Sequence, residues 1–178
     1  MIKLLFPLLF LFSCTYNDPE HMKIANRIRS KFKKQIYQKD IEIFGIGGDT
    51  REDIHEFYYD LVIYDTPDID KARRHLVENL EMLIADVNED LEARPYLREY
   101  PFSEKYVHFS IGFWKAPVTS VQPPLIAYAS VFNGRVAYSI DDNPAHYTKV
   151  ARETYAEAYE KVYGRPLPDR RGKEPPAS

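Results

Sequence analysis

Two residue types that hydrolytic enzymes combine stand close together in this chain. His108 and Ser110 are separated by one apolar residue, so both side chains point to the same face if the stretch forms a β-strand. Such a pair can supply the base and the nucleophile of a hydrolase. The chain has no G-x-S-x-G turn to raise the serine above a sheet. The sequence therefore favours a polar, solvent-facing strand side over a catalytic pair.

Two further patterns have a chemical and a structural interpretation. Residues 45–50, Gly-Ile-Gly-Gly-Asp-Thr, could cradle an anion with backbone N–H groups, but they lack the Lys-Ser/Thr of a P-loop. They are more typical of a turn that needs a positive φ. The five histidines include no pair four residues apart on a helix. A metal site would need His55, His108 and an acid to meet across paired strands, and no metal or cofactor is predicted.

Composition limits the class of protein. A chain of 178 residues has the length of one domain, with or without tails. Its 44% hydrophobic and 29% charged residues, with 14 Tyr and 10 Phe, are typical of a globular domain with a substantial core. The single cysteine excludes a disulfide framework and a zinc cage made of cysteines. The net charge of −3 gives no case for nucleic acid as a partner.

The first 14 residues, MIKLLFPLLFLFSC, have a positive charge followed by an apolar run, which is the arrangement of a bacterial secretion signal. Lys3 precedes an apolar run over residues 4–12, which is shorter than the roughly 20 residues that a membrane-spanning helix needs. The run ends in Leu11, Ser13 and Cys14. An aliphatic residue three positions before a cysteine, with a small residue directly before it, resembles the lipobox of bacterial lipoproteins.

This resemblance implies a location. Residues 1–13 would be a signal peptide that is removed, Cys14 would carry fatty acyl chains such as palmitate, and residues 14–21 would form a lipidated tether. Two or more acyl chains give stable membrane anchoring. Thr15, rather than Asp, follows the cysteine, which in that family implies an outer membrane, facing the periplasm or the cell surface. The alternative is a plain secretory signal with an accidental cysteine.

The remaining chain predicts one α+β domain over residues 22–164, in the order α-β-β-α-β-β-β-α. Apolar residues at three- and four-residue spacing predict three helices, and alternating stretches predict an antiparallel sheet of about five strands with the helices on one face. The Pro-rich, charged residues 165–178 predict a disordered tail. The predicted helices cover residues 22–38, about 67–90 and 144–163.

A hairpin is predicted at Asn133-Gly134, because this dipeptide favours a two-residue turn. Such a turn places Val131 opposite Val136 and fixes the register of both strands. Val136 then points to the core, whereas Arg135 and Ser139 point outward.

The first predicted helix is basic apart from one apolar stripe. Ile24, Ile28, Phe32 and Ile36 recur every four residues and should dock on the sheet. The cations that should face outward are Lys23, Arg27, Lys31 and Lys34. They have three interpretations: an ordinary solvated helix face, contact with anionic lipid headgroups, or a site for an acidic partner.

An acidic run, Asp86, Glu89, Asp90 and Glu92, ends the second predicted helix. It is either a solvated face or a site for a cation or a basic partner. Residues 94–102 form a Tyr-rich loop, and Tyr and Arg are enriched at the centres of interfaces. The loop either binds a partner or closes the edge of the core. Its candidate interaction residues are Tyr96, Arg98, Tyr100 and Phe102.

These features predict a membrane-anchored envelope lipoprotein with a non-catalytic binding or assembly role. The membrane would be reached through the lipid at Cys14, and a protein is a possible partner. One alternative is a module that binds a small ligand in a sheet cleft lined by tyrosines and Trp114. Another is a hydrolase with its site on the sheet.

Overall fold

The computed structural model describes residues 18–115, 119–142 and 147–170, which form an α+β fold. The helices are α1 (Glu20–Tyr37), α2 (Ile69–Glu89) and α3 (Tyr155–Tyr163). The strands are β1 (Glu42–Gly47), β2 (Phe57–Ile63), β3 (Val107–Lys115), β4 (Thr119–Ser120), β5 (Tyr128–Phe132), β6 (Arg135–Ile140) and β7 (Thr148–Thr154). The predicted signal peptide and Cys14 lie outside the described residues.

All seven strands belong to one sheet, which is antiparallel except at one pair. The strand order is β1-β2-β3-β5-β6-β7, and β4 pairs with the end of β3. Strands β2 and β3 are parallel, so the prediction of a wholly antiparallel sheet is wrong at this pair. Helix α2 lies between them in the chain and supplies the long crossover that a parallel pair requires.

The last predicted helix is wrong over its first half. Residues 148–154 form strand β7, which pairs with β6, and helix α3 begins only at Tyr155. Thr154 caps this helix, because its hydroxyl accepts from the Glu157 N–H while the Glu157 carboxylate accepts from the Thr154 N–H. Strands β4 and β7 raise the strand count from the predicted five to seven.

The predicted hairpin register is confirmed. Val131 lies opposite Val136 in the pairing of β5 with β6, Val136 is buried, and Arg135 is exposed. The turn residues have positive φ, 48° at Asn133 and 67° at Gly134. One prediction fails: Ser139 is on the outward face but is buried.

The three helices cover one face of the sheet, where the core lies. The apolar stripe of α1 is fully buried, as predicted, and the Phe32 ring centroid lies 4.6 Å from that of Tyr59 on β2. Helix α1 begins two residues before its predicted start and so includes the end of the predicted tether. Within the described residues, no helix is long and apolar enough to cross a bilayer.

Gly48 confirms the predicted turn with positive φ. Its φ is 146°, and a Cβ atom at this position would stand 2.1 Å from the carbonyl oxygen of Glu56. The close approach lets residues 48–56 fold back on themselves before β2, with the Asp49 N–H donating to the same carbonyl. Only glycine satisfies both conditions.

Residues 165–170, the described part of the predicted disordered tail, contact the domain. Leu167 packs against the core, and the Arg170 guanidinium donates to the Glu81 carboxylate of α2. The prediction of disorder is therefore wrong for these residues, and residues 171–178 lie outside the description.

Candidate functional site

The sheet face opposite the helices carries no helix within residues 18–115, 119–142 and 147–170. Strand registers align its side chains in rows that run across the strands, because directly opposite residues point to the same face. The middle row is made of small or short residues apart from its last member. It contains, from β1 to β7, Gly45, Asp60, Ser110, Ser130, Ala137 and Arg152.

Aromatic side chains border this middle row on both sides. On one side Tyr58 lies opposite His108, and the His108 ring contacts Phe132 edge to face at a centroid distance of 4.1 Å. On the other side Tyr128 stacks on Tyr147, with ring centroids 5.6 Å apart and planes 11° from parallel. The small residues therefore form the floor of a trough, which we call the cross-sheet groove.

The groove consists of two adjoining clefts. The first, of about 320 Å³, lies between Tyr58, Tyr128 and Phe132 over Ser110 and Ser130. The second, of about 500 Å³, shares Ser130 and Phe132 with the first and continues to β6 and β7. Phe132 stands at the junction with 59% of its surface exposed, an unusual exposure for a phenylalanine ring.

A carboxylate of the middle row adjoins the first cleft and bonds two of the residues that line it. Asp60 accepts hydrogen bonds from the Ser110 hydroxyl and, at 3.1 Å, from the Tyr58 hydroxyl. Burial, followed by the nearby Asp60 carboxylate, raises the pKa of Tyr58 above the usual value for a phenol. Tyr58 therefore stays neutral at physiological pH and keeps its donor proton.

The second cleft is lined by three cations: Arg135, Lys149 and Arg152. None of the three makes an ion pair within the described ranges. The two carboxylates of this cleft already have partners. Glu153 is bonded by Arg73, Tyr138 and Lys161, and Glu157 caps α3. The three cations outnumber the two carboxylates that line this cleft, so its described lining carries an excess of positive charge.

The predicted histidine and serine are not paired with each other, because each lies beside a different carboxylate. The Ser110 hydroxyl donates to a carboxylate, whereas His108 lies 3.0 Å from Glu56 and does not contact the serine. His55 lies beside a different acid, Asp49. No group of three metal-ligating side chains occurs in the part of the chain that the structure describes.

The Tyr-rich loop divides between core and surface. Phe102 is buried against Phe57, so its ring is not available to a partner. Tyr96 is half-buried, and Arg98 is exposed but bonded to Asp53 at 2.9 Å. Tyr100 is exposed under the Arg94 guanidinium. The loop closes the edge of the core, and Tyr100 also lines a cleft of about 440 Å³ together with residues 167–170.

The exposed cations of α1 are mostly paired. Arg27 bonds Asp90 and Glu92, Lys31 lies 2.7 Å from Asp86, and Lys23 lies 3.3 Å from Glu20. The acids at the end of α2 thus meet the basic helix of the same chain. The hydrogen bonds that Arg27 donates to Asp90 and Glu92 raise the pKa of its guanidinium. Lys34 is exposed and makes no ion pair within the described residues.

Sequence reasoning identified part of the groove. The polar side of β3 was predicted, and Trp114, proposed as part of a sheet cleft, lies on the same face beyond Gly112. Tyrosines are expected in such a cleft, but the sequence does not single out Tyr58, Tyr128, Phe132 or the three cations. A sequence signal for the aromatic border does exist: Tyr128, Ser130 and Phe132 are two residues apart, so both rings and the small serine share the outward side of the hairpin.

Comparison with known proteins adds no family: no protein-family model, no curated protein and no solved structure matches the chain. Function has to be inferred from the groove and from the start of the chain.

Proposed function

We propose that this chain is a membrane-anchored envelope lipoprotein with a non-catalytic binding role, and that the cross-sheet groove is its binding surface. The observation that carries the binding role is the uncovered sheet face, where exposed aromatic rings border a floor of small residues. Large exposed apolar surfaces in a folded domain mark places where a ligand or partner binds.

The lipobox-like ending at Cys14 supports the envelope location. Acyl chains at this residue would hold α1, which begins six residues later, close to the membrane. The pairing of Arg27 and Lys31 with acids of α2 weakens the case for direct contact of this helix with anionic lipid. Anchoring therefore depends on the lipid, and Lys33 and Lys34 are exposed cations of α1 that make no ion pair within the described residues.

Cys14→Ala is expected to abolish lipidation. The full chain expressed in a Gram-negative host and labelled with a palmitate analogue should incorporate label, fractionate with the outer membrane and lose residues 1–13. The variant has no other cysteine to take its place, so it should lose the label completely and remain uncut or leave the membrane fraction. Label that persists in the variant contradicts the anchoring proposal.

A photo-crosslinking amino acid in the groove tests the binding surface. Benzoylphenylalanine replaces Phe132 in one variant and Tyr37, which is exposed on α1 on the helix side, in the control. Both are exposed aromatic positions, so the domain should tolerate either change. Irradiation of intact cells is expected to give adducts at position 132 and none at position 37. Equal yields at both positions, or none at 132, contradict a binding role for the groove.

A further inference from the structure

We infer that the cross-sheet groove binds an anionic glycan, that is, a linear chain of sugar rings that bear carboxylates. The inference rests on the proposed binding role of the groove and adds the chemical class of the ligand. Three properties of the groove carry it: its length, its pairing of flat rings with a hydrogen-bond acceptor, and its excess of positive charge.

The groove is long and crosses the strands. It extends from Tyr58 on β2 to Arg152 on β7, which are four strand spacings apart in the sheet order. At about 4.8 Å for each spacing, the distance is about 19 Å. A single sugar ring or metabolite would fill one cleft, whereas a chain of several units would occupy both.

The first cleft has the two features that a sugar ring can use. Tyr58, Tyr128 and Phe132 supply flat apolar surfaces, which suit the C–H faces of a pyranose. The Asp60 carboxylate, oriented by Ser110, supplies acceptor lone pairs toward which ring hydroxyls can donate. A stretch of acidic peptide has no pyranose ring to lay on these aromatic surfaces.

The second cleft supplies charge complementarity. Arg135, Lys149 and Arg152 have no acidic partner in the described chain, and they line one continuous cleft with Phe132. Guanidinium groups bind carboxylates through paired hydrogen bonds. A ligand that presents hydroxyls near β2 and carboxylates near β7 matches both ends of the groove, and a glycan of acidic sugars has both groups on every repeat.

The direct experiment measures binding of the full chain, purified in a mild detergent, to a hexamer of galacturonate and to a hyaluronate hexasaccharide by calorimetry. At low salt we expect at least one to bind, and binding should weaken as salt screens the cations. Arg152→Ala and Arg135→Ala should each weaken binding about tenfold, which is the scale of one charge-assisted hydrogen bond. Phe132→Ala should weaken it by a similar factor.

Matched controls lie on the helix side of the molecule. Arg74→Ala removes one exposed positive charge from α2, and Tyr37→Ala removes one exposed ring from α1. Both should leave affinity within about twofold, because neither residue borders the groove. Equal losses in these controls and in the groove variants overturn the inference.

The chemical class of the ligand is tested by comparing the affinities of other ligands of similar charge or shape. A neutral glucose hexamer should bind more weakly than the acidic glycans, and hexaglutamate and oligothymidylate should bind more weakly too. Tighter binding of the peptide or of the DNA overturns the inference, as does absence of acidic-glycan binding at millimolar concentration. A crosslinked adduct at position 132 without glycan binding would support the binding role of the groove and contradict only the glycan as its ligand. If neither the adduct nor glycan binding is observed, both proposals are contradicted.

Discussion

Arg73→Ala is expected to lower the free energy of unfolding by about 3–5 kcal/mol, because it leaves a buried carboxylate without its buried cation. The Arg73 Nε donates to Glu153 at 2.7 Å, and the two side chains are only 8% and 6% exposed. The guanidinium also bonds Asp70 and lies 5.6 Å from the centroid of the Tyr138 ring. The Arg73–Glu153 pair is therefore almost fully buried.

The same carboxylate connects four elements. Glu153 on β7 accepts from Arg73 on α2, from the Tyr138 hydroxyl on β6 at 2.6 Å, and from Lys161 on α3. Loss of Arg73 therefore removes the link between α2 and the last two strands. Within the described residues it leaves Glu153 with one exposed lysine as its cation.

The neighbouring residue provides the control. Arg74 has the same side chain one position along α2 but is exposed, so Arg74→Ala should change stability by no more than about 0.5 kcal/mol. Urea denaturation of the three proteins at neutral pH measures both effects. A loss below about 1 kcal/mol in Arg73→Ala would show that the buried pair contributes little.

At acid pH, the free energies of unfolding of Arg73→Ala and of the parent chain should differ less than at neutral pH. Burial alone would raise the pKa of Glu153, but hydrogen bonds from Lys161, Tyr138 and Arg73 outweigh it and hold the pKa below the ordinary 4.5. A carboxyl group whose pKa is lower in the folded chain than in the unfolded chain stabilises the fold at pH values above its unfolded-state pKa. This stabilisation is lost as the pH falls through the folded-state pKa. The full difference in free energy of unfolding should therefore be seen above about pH 4.5 and should shrink below it. A difference that stays constant below this pH would assign the effect to packing alone.

Local rules predicted some elements well. The Asn133-Gly134 turn fixed its register because both residues tolerate positive φ, and no distant contact was needed. Strand β7 was missed because Tyr147, Val150 and Ala151 also fit a helical spacing. Its pairing with β6 decides the conformation, and single-sequence spacing contains no information about that pairing.

The groove was harder to predict than the fold. Alternation along β3 places His108 and Ser110 on one face, but it does not show which strands lie beside them. Tyr58 reaches His108 only because β2 runs parallel to β3 after the α2 crossover. Lys149 and Arg152 join the groove only because β7 is a strand that pairs with β6. A site assembled from residues on five strands depends on topology and cannot be read from local spacing.

The second large effect is expected at the docked face of α1. Phe32 is fully buried and lies against Tyr59 and Phe109, with ring centroids 4.6 and 6.2 Å away. Phe32→Ala should lower the free energy of unfolding by about 3–5 kcal/mol, because it removes buried apolar surface and leaves a cavity between helix and sheet.

Tyr37→Ala, which removes an exposed ring from the last turn of the same helix, is the control for Phe32→Ala. It should cost less than about 1 kcal/mol. Urea denaturation compares the two variants, and circular dichroism at low denaturant follows α1. The helix is rich in lysine and arginine along its exposed side, and an isolated helix of this length is marginally stable in water. Its order should therefore depend on the docked stripe and on the ion pairs of Arg27 and Lys31 with α2. Equal losses in the two variants would show that propensity, rather than docking through Phe32, holds the helix in place.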